Sequence, residues 1–110
     1  MKRQTAINAF AALAHDVRLG IFQRLVEAGP AGMAAGRIAD KLAISPSSLT
    51  FHIAHLERAG LVHSRREGRS IIYSADFGAM GSLVDFLTDK CCGGQPEVCR
   101  DLGRKQHKAS

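Results

Sequence analysis

The feature that most limits what this chain can become is the punctuation around residues 42–60. Ser45-Pro46 starts a helix, because serine caps the first free N–H groups and proline tolerates the first helical position. Gly60 stops it as a C′ glycine. Just upstream, Ile38 and Leu42 stand four apart in a short helix at about 36–43, so two helices meet at a tight turn. Just downstream, residues 61–66 and 70–75 are β-rich, with Val62, Ile71, Ile72 and Tyr73. Between them lies Glu67-Gly68-Arg69, which makes a hairpin with a basic tip.

The flanks add three helices. Residues 5–14 place Ala6, Ile7, Phe10 and Leu13 on one face. A second helix starts near Asp16, a good N-cap residue, and turns Val17, Ile21, Phe22, Leu25 and Val26 toward a core. Gly29-Pro30 ends it, and a small-residue stretch from Ala31 to Gly36 leads into the short helix. A last helix at about 79–91 carries Met80, Leu83, Val84 and Leu87 on one stripe, with Gly93-Gly94 after it. The expected fold is mainly α with a β-hairpin wing (α+β), a winged helix-turn-helix whose second paired helix enters a DNA major groove. Residues 1–92 form the DNA-binding and dimerisation domain, and 93–110 a flexible basic tail containing cysteine.

Composition agrees with one small domain. At 110 residues with 5% aromatics, the core is aliphatic and modest, and a dimer that buries more apolar surface is the expected state. No run of about 18 apolar residues spans a membrane, and no apolar h-region follows the basic start, so a cytoplasmic protein is expected. The net charge of +5 is uneven: residues 37–69 hold +3, and residues 100–108 another +3. Basic modules of this kind meet polyanions.

On the helix from Pro46, Ile53 and Leu56 fall within about 40° of Leu49 and face the core. The opposite side carries Ser47, Phe51, His55 and Arg58, with Ser48 flanking. Ser47, Ser48 and Thr50 are expected to bond phosphates or base edges near the helix start, or else to cap it. Phe51 either meets a thymine methyl or packs on a neighbouring loop. His52 and His55 resemble a metal pair but lie about 60° apart on the wheel and lack a nearby thiol. His52 is therefore assigned to hydrogen-bonded packing, and His55 to DNA. Arg65, Arg66 and Arg69 in the hairpin straddle the phosphate backbone or reach a minor groove, unless the hairpin is merely a solvated surface.

Three blocks resemble one family. Phe10-Ala-Ala-Leu-Ala-His-Asp-Val-Arg-Leu-Gly-Ile21, the stretch from Leu42 to Val62, and Arg65-Arg-Glu-Gly-Arg-Ser-Ile-Ile-Tyr73 are similar to the opening, recognition helix and wing of ArsR/SmtB-type winged-helix repressors. The resemblance covers about residues 7–90. It implies a homodimer, paired through its first and last helices, that binds operator DNA and lets go when an inducer binds. Two familiar inducer sites are missing. Met33-Ala-Ala-Gly-Arg37 stands where many members carry Cys-Val-Cys, and Asp85 and Asp89 have no histidine beside them and read as a solvated acidic edge.

The three cysteines instead cluster in Cys91-Cys92-Gly-Gly-Gln-Pro-Glu-Val-Cys99. Adjacent α-carbons about 3.8 Å apart suit a mutual disulfide poorly. Three thiolates match a trivalent, thiophilic, three-coordinate centre, As(III) or Sb(III), whereas structural zinc would need a fourth ligand such as His107. The spacing also resembles arsenic-responsive repressors whose ligands lie at the end of the last helix and its tail. A thiol redox sensor, or a zinc or cadmium sensor of the same fold, is the alternative. No organic cofactor is expected. Catalysis is not expected either, because the sixth residues after the cysteines are Glu97, Val98 and Lys105, with no arginine to cradle an oxyanion.

Overall fold

A computed structural model describes residues 1–89. Five helices carry a three-stranded antiparallel sheet: α1 (Arg3–Leu13), α2 (Asp16–Ala28), β1 (Met33–Ala34), α3 (Ala35–Leu42), α4 (Pro46–Arg58), β2 (Val62–Glu67), β3 (Ser70–Ala75) and α5 (Phe77–Thr88). The winged helix-turn-helix is as expected. Cys91, Cys92 and Cys99, the 92/93 boundary and the basic tail lie outside the described residues.

The first helix buries only part of the face expected of it: Ala6 is buried and Leu13 packs against the core. Ala6, Ala9 and Ala12 are buried, while Ile7 and Phe10 are 48% and 37% exposed. Methyl groups let α1 lie close against α2 and α4, and the larger side chains turn outward. At α2, the cap is His15 rather than Asp16: its Nδ1 accepts the Val17 N–H at 3.1 Å. Asp16 takes the first helical position, where its charge meets the positive end of the helix.

The helix pair follows its punctuation. Ala43 takes φ 54°, a left-handed conformation rare for alanine, and the Ile44 N–H returns to the Ala39 carbonyl. Ser45 Oγ accepts the Ser48 N–H at 3.1 Å, and Pro46 opens α4. After Arg58, the Gly60 and Leu61 N–H groups close on Glu57 and Leu56, with Gly60 at φ 77°. The side chains buried most fully are Ile21, Leu25, Ile38, Ile53, Leu56 and Leu61, an aliphatic centre shared by α2, α3, α4 and the entry to β2.

The sheet order is β1-β3-β2, with β2 and β3 running from Val62↔Ala75 to Glu67↔Ser70. β1 was not expected; two residues, Met33↔Tyr73 and Ala34↔Ile72, are too few to leave a periodic signal. Gly32 makes this edge feasible. It sits at φ 74°, ψ −165°, a region close to glycine-only, and a Cβ there would run into the Tyr73 carbonyl oxygen and Ser74 Oγ. The last helix begins at Phe77, two residues earlier than expected, because Asp76 Oδ1 accepts the Ala79 N–H at 2.9 Å. It ends at Thr88, before the expected 91, with Asp89 in an extended conformation.

Gly29 provides a control for Gly32, since it shares φ 74° but has nothing within 4 Å of the missing Cβ. Gly32→Ala is expected to cost roughly 2–5 kcal/mol, from strain plus steric overlap, and Gly29→Ala roughly 1–3 kcal/mol from strain alone. Urea unfolding of both variants checks the difference.

Candidate nucleic-acid interface

Helix α4 is attached by one face. Leu49, Ile53 and Leu56 are buried, which leaves Ser47, Phe51 and Arg58 exposed and His55 half-buried on the other side. Near the start of the helix, Ser47 Oγ lies 3.2 Å from Ser45 Oγ, and the Thr50 hydroxyl donates to the Pro46 carbonyl at 3.0 Å. Ser48 is half-buried, and its N–H is already capped by Ser45. The helix start therefore presents Ser47 and the oxygen lone pairs of Thr50.

Phe51 is 62% exposed. Its ring stands edge-on to those of His52 and His55, at 5.2 and 5.1 Å between centroids. Its ring contacts are thus with its own helix, and no loop among the described residues covers it. A large apolar ring held proud of a reading helix is suited to contact with a thymine methyl.

Behind Phe51 the histidines meet the start of α2. His15 and His52 rings lie 4.6 Å apart with a 41° tilt. His52 packs as expected, and its buried Nδ1 finds no hydrogen-bond partner among the described residues. The pKa of His52 is lowered, first by loss of hydration and then by the charges of His15, Arg18 and His55. His55 is lowered by the same first cause, then by Arg18, Arg58 and His15. Its Nδ1 lies 3.4 Å from Arg58 Nη2.

The wing separates its three arginines. Arg65 is committed within the chain: Nε pairs with Glu67 Oε2 at 2.8 Å, Nη1 donates to Ser74 Oγ at 3.3 Å, and Nη2 donates to the Ala31 carbonyl at 2.7 Å. Ser74 Oγ in turn donates to the Pro30 carbonyl at 3.4 Å. Arg65 therefore fastens the wing to the turn after α2. Arg66 and Arg69 are exposed and make no side-chain hydrogen bond among the described residues, so they keep their charge for an external anion. Residue type alone could not separate the clamp from the two outward arginines.

No group of three or more His, Cys, Asp or Glu side chains among the described residues could hold a metal ion. Asp85 on α5 and Asp89 just past its end are exposed. No described helix is long and apolar enough to cross a membrane.

Comparison with known proteins places this geometry. A family described as "Helix-turn-helix domain" matches residues 13–65. The "Uncharacterized HTH-type transcriptional regulator YbzH" of Bacillus subtilis is 32% identical over 93 residues, covering 74% of this chain and 93% of that protein. The solved structure of HlyU from Vibrio cholerae is similar with a TM-score of 0.63 at 29% identity, covering 79% of this chain and 97% of that one. A solution structure from Mycobacterium bovis, Mb0332, matches at TM-score 0.63 and 26% identity, over 79% and 81% of the two chains. That structure is a homodimeric winged helix-turn-helix DNA-binding domain of "a possible ArsR-family transcriptional regulator". These relatives are regulators with helix-turn-helix domains, and the chain is not an enzyme. It belongs to the ArsR-like family of winged helix-turn-helix transcriptional regulators.

Proposed function

We propose that the chain is a cytoplasmic, arsenite-responsive repressor that binds an inverted-repeat operator as a homodimer and dissociates when As(III) occupies Cys91, Cys92 and Cys99. The observation that carries the inducer reading is the donor set. Three thiols within nine residues match the valence of As(III), while neither other inducer site of the family is present. Capture of As(OH)3 by three thiols forms three As–S bonds and releases three waters. Antimonite has the same valence and is expected to act alike.

Dimerisation is supported by exposed apolar side chains on the two helices expected to pair. Ile7 and Phe10 project from α1, and Val84 and Leu87 from α5, the last two 52% and 64% exposed. Met1, just before α1, and Phe86 of α5 line one cleft, together with Asp85 and Asp89. In such a dimer, Ser47, Thr50, Phe51 and His55 read the major groove, while Arg66 and Arg69 hold the backbone beside it. Arg65 supports the wing rather than the DNA. Release requires that As(III) bind the free dimer more tightly than the DNA-bound one, and DNA then weakens As(III) binding by the same factor.

Three outcomes are expected. Leu87→Asp makes the protein monomeric by light scattering and removes operator binding. Phe51→Ala, assayed by anisotropy on a duplex the protein selects from a random pool, loses about tenfold in affinity, about 1.4 kcal/mol. It also loses any preference for thymine over deoxyuridine; an unchanged preference removes Phe51 from base reading. Cys99→Ser keeps DNA binding but is no longer released by arsenite. Titrating one operator complex with arsenite, antimonite, Zn(II), Cd(II) and peroxide separates the inducers: release by peroxide alone indicates a disulfide sensor, and release by Zn(II) or Cd(II) alone a divalent metal sensor. Because HlyU is named a transcriptional activator, a promoter reporter fixes the direction of control, with repression the expected sign.

A further inference from the structure

The cleft bounded by α1, α2 and the end of α4 gathers two arginines, Arg18 and Arg58, that the reading of bases does not use, beside His55, which the proposed reading also turns toward the groove. The cleft encloses about 370 Å³, and Asn8, Arg18, His55 and Arg58 line it together with alanines of α1 and α4. No carboxylate of the described residues lines it. The one ion pair among the described residues is Arg65–Glu67 on the wing, so neither Arg18 nor Arg58 is neutralised within the described chain.

The donors are partly fixed in place. Arg18 Nε donates to the Ala12 carbonyl at 2.7 Å, which anchors the guanidinium and leaves its two terminal nitrogens for a ligand. Arg58 Nη2 faces His55 Nδ1, so in neutral His55 the proton sits on Nε2, a further donor. Planar forks set in this way suit the tetrahedral oxygens of a phosphate, and alanine walls leave room for it.

We propose that this cleft is an oxyanion site for a phosphate-type group, held by Arg18, Arg58 and His55 with Asn8 as an amide donor. The shared chemistry has two sources, a backbone phosphate of bound DNA or a free inorganic oxyanion. The site is independent of the thiol inducer. Its free-anion arm also needs no DNA, so it can stand or fall apart from operator binding.

The charged and titratable groups facing His55 are His15, which caps α2, Arg18 from α2, and His52 and Arg58 from α4; the residues that α1 brings to the cleft, Asn8, Ala11 and Ala12, are all neutral. These neighbours repel an imidazolium, and an anion among them reverses that repulsion. The test follows the imidazole resonances of the DNA-free protein while inorganic phosphate is added. If the site takes free oxyanions, the His55 signals move saturably, its titration midpoint rises, and Arg58→Gln abolishes both effects. If it takes only a DNA phosphate, the imidazoles do not respond. In that case Arg58→Gln lowers the slope of log affinity against log salt by about one without changing base preference. Arg18→Gln and Arg58→Gln then lose affinity less than multiplicatively when combined, because they share one phosphate. Absence of both the phosphate response and the slope change overturns the proposal. Arg58 is exposed, so its variant leaves the core intact.

Discussion

The reading helix is held by a single apolar face, and the rest of the structure is arranged around that attachment. Leu49, Ile53 and Leu56 sink among Ile21, Leu25, Ile38 and Leu61, all of them fully or almost fully buried. Burying each such side chain contributes about 1.5–3 kcal/mol, so a rotation of α4 that lifted them out would cost several times RT. Fixing the buried face fixes the opposite one. Ser47, Phe51, His55 and Arg58 project because Leu49, Ile53 and Leu56 cannot.

Close approaches between small residues do the complementary work. The alanine face of α1 brings that helix onto α2 and α4, and in doing so leaves Ile7 and Phe10 in solvent. Gly32 lets the chain touch the backbone of β3, and so the wing gains a third strand at its root. In both places a missing side chain sets the geometry, and the bulk that would have filled it lies elsewhere.

Much of this was legible in the residues. Caps and breakers are local, so Ser45-Pro46, Gly60 and the hairpin tip placed α4 and the wing closely. The core face of α4 followed from helical period. Features that depend on distant neighbours were not legible. Periodicity set Ile7 and Phe10 on one face with Ala6 and Leu13, but it does not report which neighbour covers a face. The cap of α2 moved from Asp16 to His15 because either residue can accept the same N–H groups. Arg65 was grouped with Arg66 and Arg69 because a carbonyl contributed by Ala31, far back in the chain, carries no mark in the wing. Nothing local marks Arg18 either, a single arginine in a helix whose period is set by its apolar residues.

The Arg65 clamp has a mechanical consequence. Bonded to Ser74 on β3 and to Ala31 behind α2, it ties the root of the wing to the same body that carries the reading helix. The reading helix and the wing of one chain are thereby joined into a single stiff piece, like a calliper that does not loosen its grip by bending an arm. In the proposed dimer, a signal at the far end of the fold would therefore act by changing the angle between two such pieces, and a small turn at their pivot would become a larger displacement at the tips.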